Sequence, residues 1–111
     1  MKQYTNSDQT TKLIELGFEK PMNYSADKYT IIHTGFDIIN YSIGELIEEL
    51  QKRVYQIEDS GIPCDLNIHY DGGTWLIVFI SERDGRFKAE MFELIDALYL
   101  MVIKLKEAEV I

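Results

Sequence analysis

Cys64-Asp-Leu-Asn-Ile-His-Tyr-Asp71, then Gly72-Gly73, then Thr74-Trp-Leu-Ile-Val-Phe-Ile-Ser81, is the stretch that decides the fold. The first arm alternates apolar and polar residues, the pattern of a strand with one buried face. The second is apolar at every position from Trp75 to Ile80. Two glycines between such arms signal a β-hairpin, because the tight turns that match strand twist need φ > 0, which glycine adopts without steric cost. With Gly72-Gly73 as the turn, Tyr70 faces Trp75, Ile68 faces Ile77 and Leu66 faces Phe79. These six share one face and make a natural core. On the other face His69 pairs with Leu76, Asn67 with Val78, and Asp65 with Ile80.

Upstream, Tyr41-Ser-Ile-Gly-Glu-Leu46 marks a helix start. Ser42 at the N-cap and Glu45 three residues later form a capping box, and Tyr41 and Leu46 are spaced for a hydrophobic staple. Ile43, Leu46, Ile47, Leu50, Val54 and Ile57 then recur at helical spacing, which predicts a helix over about 43–58. Glu48–Lys52 and Glu49–Arg53 are i,i+4 pairs on its far side, and Gly61 and Pro63 end it. Downstream, Glu82–Arg86 reads as a charged turn. Met91, Leu94, Ile95, Leu98, Val102 and Leu105 form a second stripe, widened by Phe92, Tyr99 and Ile103, which predicts a helix over about 88–107. Glu90 and Glu93 near its start and Lys104 and Lys106 near its end suit the helix dipole.

The N-terminal part predicts a short helix over about 8–16, capped by Ser7 or Thr5. Gly17 is placed at its C′ position and Phe18 folds back on Leu13, as in a Schellman ending. Residues 22–41 read either as a loose hairpin, with Tyr29–Ile32 and Phe36–Tyr41 as arms, or as one strand with irregular chain. The expected architecture is therefore a single small α+β domain over residues 1–111. An antiparallel sheet containing the 64–81 hairpin packs against two long helices, with the short N-terminal helix in addition.

Composition narrows the function classes. The 111 residues carry 46% hydrophobic side chains, enough for one core, and a net charge of −8 concentrated in the two predicted long helices. Such a chain is repelled by nucleic-acid backbone, so no direct DNA or RNA binding is expected. The one cysteine, Cys64, leaves no disulfide partner. The polar start has no apolar signal segment, and the longest apolar run, Ala97–Ile103, is far shorter than a membrane span. No membrane association and a cytoplasmic location are the corresponding expectations.

Three segments, Thr11–Pro21 (TKLIELGFEKP), Tyr41–Leu50 (YSIGELIEEL) and Glu93–Glu107 (ELIDALYLMVIKLKE), resemble small uncharacterised proteins of gut Bacteroidales and the phages and mobile elements they carry. The resemblance covers roughly a third of the chain and falls on predicted caps and core. It implies a phage or integrated-element setting in a bacterial cytoplasm, and it attaches no activity to any residue.

Few residues are arranged for chemistry. His69 and Asp71 share a strand face, but a metal site would need further ligands nearby. Glu45, Glu48 and Glu49, or Glu90, Glu93 and Asp96, could be drawn as carboxylate clusters. Capping, i,i+4 partners and helix N-termini account for them more simply. Cys64 has no base or electropositive neighbour in the sequence. The turns at Asp71–Thr74 and Asp84–Arg86 lack phosphate-loop spacing. No catalytic residue, metal or cofactor is expected.

The remaining signal is the second face of the hairpin, Asp65, Asn67 and His69 beside Leu76, Val78 and Ile80. A face wholly open to water should not carry three apolar residues in line. Either the N-terminal helix or the Tyr29–Tyr41 region covers it, or it is an interface with another protein or a second copy, or it lines an apolar ligand pocket. The expectation that follows is a non-enzymatic protein-interaction module of phage or mobile-element type. The alternative is an acidic decoy that imitates nucleic acid and binds a host DNA-binding protein; a small enzyme with a site between subunits ranks behind both.

Overall fold

The computed structural model describes residues 2–18 and 40–111. In chain order they form α1 (Ser7–Glu15), α2 (Ile43–Asp59), β1 (Cys64–Asp71), β2 (Thr74–Ser81), β3 (Gly85–Met91) and α3 (Leu94–Glu107). The three strands make an antiparallel sheet in the order β1-β2-β3. This is the α+β fold expected from the sequence, with α2 and α3 on one face of the sheet. The loose hairpin or strand predicted over 22–41 lies outside the described residues, apart from Asn40 and Tyr41.

The hairpin register is the predicted one: Tyr70 opposite Trp75, Ile68 opposite Ile77, Leu66 opposite Phe79, and Asp71 opposite Thr74 around Gly72-Gly73. Both glycines have positive φ, +62° and +88°, as a type I′ turn requires. Ile77 and Phe79 are fully buried, and Leu66 and Ile68 pack at the margin of the core.

The predicted helix over 88–107 is corrected at its start. Residues 85–91 are β3, paired along β2 from Trp75–Met91 to Ser81–Gly85, and α3 begins only at Leu94. The physical reason lies in β2. A strand that is apolar on both faces is a central strand, and its backbone needs hydrogen-bonding neighbours on both edges. β1 satisfies one edge, and Gly85-Arg-Phe-Lys-Ala-Glu-Met91 satisfies the other, placing Phe87 and Ala89 inward. Lys, Ala, Glu and Met all favour helices, but the sheet partner overrides that preference. Between β2 and β3 the buried Ser81 hydroxyl accepts hydrogen bonds from the amides of Arg83 and Asp84 and donates to the Asp84 carboxylate. Gly85 takes φ +87° where the chain re-enters the sheet.

Helix ends explain most of the remaining geometry. Ser42 and Glu45 form the predicted capping box, with Tyr41 and Leu46 both buried beside it. α1 is capped by Asn6 in a box with Gln9, not by Ser7 or Thr5. Thr5 is instead buried. Its hydroxyl accepts from the Tyr41 amide and lies 2.7 Å from the Thr10 hydroxyl, tying the start of the chain to the entry of α2. The Schellman ending of α1 is as predicted: the amides of Gly17 and Phe18 donate to the carbonyls of Ile14 and Leu13. α2 ends in the same way at Gly61 and Ile62, and α3 at Glu109 and Val110. Glu109 therefore holds φ +58° with a side chain, where the other two helices use glycine.

The core is one cluster. Leu13 and Phe18 of the N-terminal part, Leu46, Leu50, Val54 and Ile57 of α2, Ile77, Phe79 and Ala89 of the sheet, and Ile95, Leu98, Met101, Val102 and Leu105 of α3 all belong to it.

Candidate interaction surfaces

The outer face of the sheet, turned away from the helices, is set by strand register. Asp65, Ile80 and Arg86 form one row, Asn67, Val78 and Lys88 the next, and His69, Leu76 and Glu90 the third. The six residues predicted to share this face do so, and β3 adds Arg86, Lys88 and Glu90, which the sequence pattern alone places in a turn and a helix. Asn67 donates a 2.7 Å hydrogen bond to the Asp65 carboxylate along β1. Ile80 is 45% exposed, Leu76 is half-buried and Val78 is buried outside the main core cluster. Asn67 and Lys88 flank Val78 on the neighbouring strands. α1 does not cover this face. Its Leu13 belongs to the helical side of the core, and its Gln9 bonds Asp96 of α3. The Tyr29–Tyr41 region, the other expected cover, lies outside the described residues up to residue 39.

A second surface lies at the hairpin-turn end of the inner face. The helices seal the rows Leu66–Phe79–Phe87 and Ile68–Ile77–Ala89, but not the row Tyr70–Trp75–Met91. Tyr70 is 62% exposed and packs against Trp75 with the rings tilted by 54° and centroids 5.0 Å apart; Met91 is 40% exposed, and the next residue, Phe92, is 81% exposed. Tyr70 and Trp75 were expected in the core, and Met91 and Phe92 on a buried helix stripe; the structure corrects all but the partial burial of Trp75. The cause is the late start of α3, which leaves the first part of the predicted stripe on β3 and beyond the shelter of the helices. Strand-like alternation at Phe87, Ala89 and Met91 is the sequence signal for it, and the helical spacing of the same stretch competes with that signal.

Glu45, Glu93, Asp96 and Cys64 have ordinary partners. The Glu45 carboxylate accepts from the Ser42 amide, as a capping residue. The Glu93 carboxylate accepts from the Lys2 amide, and Asp96 takes hydrogen bonds from the Lys2 ammonium and the Gln9 side chain, each at 3.0 Å. Burial pushes the Asp96 carboxyl up, but these donors and the Lys2 charge outweigh it and hold the group below the usual carboxylate range. The Cys64 thiol donates to the Val54 carbonyl, and burial, with Glu58, Asp65 and Asp84 nearby, pushes its pKa up, away from the reactive thiolate. Among the described residues no group of three or more His, Cys, Asp or Glu side chains is placed to hold a metal ion, and no helix is long and apolar enough to cross a membrane.

No protein family, curated protein or solved structure matches the chain.

Proposed function

We propose that the chain is a non-enzymatic protein-interaction module, acting in the phage or mobile-element setting that its sequence resemblance implies. The observation that carries this reading is the exposed row Tyr70–Trp75–Met91 continued by Phe92. Aromatic residues and methionine are the types enriched at the centres of protein interfaces. They bring large apolar area with few rotatable bonds. Water gains little from contact with such a surface, and a partner that covers it removes that cost. The whole chain carries −8, a field that favours basic side chains on a partner. The partner that fits is therefore a protein with an apolar anchor flanked by basic side chains.

The test is capture from a phage-carrying Bacteroidales lysate, using the intact protein and a Tyr70→Ser, Phe92→Ser variant side by side, at low and high salt. The reading predicts a partner held by the intact protein at high salt and lost from the variant. A partner retained equally by both would contradict it. A basic DNA-binding protein held by both at low salt and released from both by salt would support the acidic-decoy alternative instead. That alternative has less behind it, because Lys52 and Arg53 interrupt the acidic side chains of α2.

A further inference from the structure

The outer face has a charge pattern that a second copy of the same face complements. Its corners are Asp65 and Arg86 in the first row and His69 and Glu90 in the third, and all four side chains are exposed. Acid and base therefore alternate around a central apolar line, Leu76–Val78–Ile80. Among the described residues none of Asp65, Arg86 and Glu90 has an ion-pair partner within its own chain.

The geometry points to a homodimer in which two outer faces stack about a two-fold axis parallel to β2. Such an axis lays β1 of one copy over β3 of the other while keeping each row in place. Asp65 then meets the second copy's Arg86, His69 meets its Glu90, and the apolar line stacks on itself. An isologous contact of this kind closes after two copies and leaves no open edge on that face. A two-fold axis lying across the strands would also bring opposite corners together. It would, however, set Lys88 against Lys88, whereas the axis along β2 sets Lys88 against Asn67. Like charges opposed in an interface are strongly disfavoured, so the middle row selects the axis.

Three strands about 4.8 Å apart and seven residues long give a face about 14 Å by 23 Å. Stacking two of them covers about 650 Å² in all, below the usual size of a stable specific interface. The dimer is therefore a weak, reversible one, and its specificity comes from the corners. Aligned sheets in face-to-face packing rotate by about 30° relative to one another, a displacement that the long Arg86 and Glu90 side chains can span.

Sedimentation velocity across a wide concentration series tests this directly. The intact protein should pass from monomer to dimer. Asp65→Arg and Arg86→Asp should each weaken self-association by about tenfold or more, because each sets like charges against each other at both symmetry-related corners. Mixed in equal amounts, the two variants should associate with one another, since both corner pairs are then restored in the mixed dimer. Both positions are exposed, and unchanged melting curves would show that folding is not what is being read. Monomers at every concentration would overturn the inference, as would variants that associate as the parent does or a mixture that fails to recover. Phe92→Ser should leave self-association intact. If it abolishes it, the copies meet through the aromatic end, which overturns the stacked-sheet dimer while leaving the proposed docking role of that end standing.

Discussion

The two faces of the sheet are built from the same three strands and differ in nearly everything else. The inner face carries Ile77, Phe79 and Ala89, each almost fully inaccessible, and two helices seal most of it. The outer face carries one buried valine in a line of three apolar residues, with charged side chains on both outer strands. β2 is the strand that serves both. Its unbroken apolar run thus has two explanations, burial under helices on one side and a narrow apolar line between charged strands on the other. An apolar run tells how much water a strand avoids, but not what excludes it.

The comparison is broken most severely by Phe79→Ala. Its side chain is fully buried and packs tilted against Phe87, so truncation should cost about 3–5 kcal/mol, read as a shift of the denaturant midpoint. That is a large share of the stability of a domain this size. Val78→Ala, one residue away and on the outer face, should cost about 1–2 kcal/mol, because fewer methyl groups are lost and neighbouring side chains can close over the gap. A cost equal to that of Phe79→Ala would mean that the outer face is core as well.

Next in size is the seal itself. Ser42→Ala removes the acceptor for the Glu45 amide and should cost about 1 kcal/mol. Glu109→Gly should act in the opposite direction. The residue sits at φ +58°, where a side chain is strained, so glycine should raise stability by about 0.5–1 kcal/mol in chemical denaturation. The smallest effect is expected at Ile80→Thr. It is the most exposed member of the outer apolar line and should change monomer stability by less than about 0.5 kcal/mol while weakening self-association.

Acid sharpens the same contrast on the helical side. The Asp96 carboxyl is held below its ordinary range in the folded state, so its contribution is present above the unfolded-state pKa and is lost as pH falls through the folded one. Acid titration of stability should therefore show a component that Asp96→Asn removes, together with loosening of the Lys2–Gln9 segment that it holds.

The hairpin, its register and the entry of α2 were legible in the sequence because each rests on local chemistry. Gly72-Gly73 admits the turn conformation, and Ser42 and Glu45 satisfy each other's backbone amides. The same is true of the Leu13–Gly17–Phe18 helix ending. The third strand was not legible by that route. Residues 85–91 satisfy both a helical and an alternating pattern, and only the unpaired edge of β2, a tertiary fact, decides between them. The misplaced start of α3 then hid the exposed aromatic row, because Met91 and Phe92 had been assigned to a buried stripe. Register alone puts the outer-face residues of β1 and β2 on one face. Their charged counterparts on β3 became visible only with the strand.

The most direct measurement is a methyl NMR dilution series on the intact protein. Concentration-dependent shifts are expected at Leu76, Val78 and Ile80 and none at Ile77, which lies on the sealed face. Uniform spectra at all concentrations, or shifts confined to Met91 and the residues around it, would contradict the claim that the outer face pairs with itself.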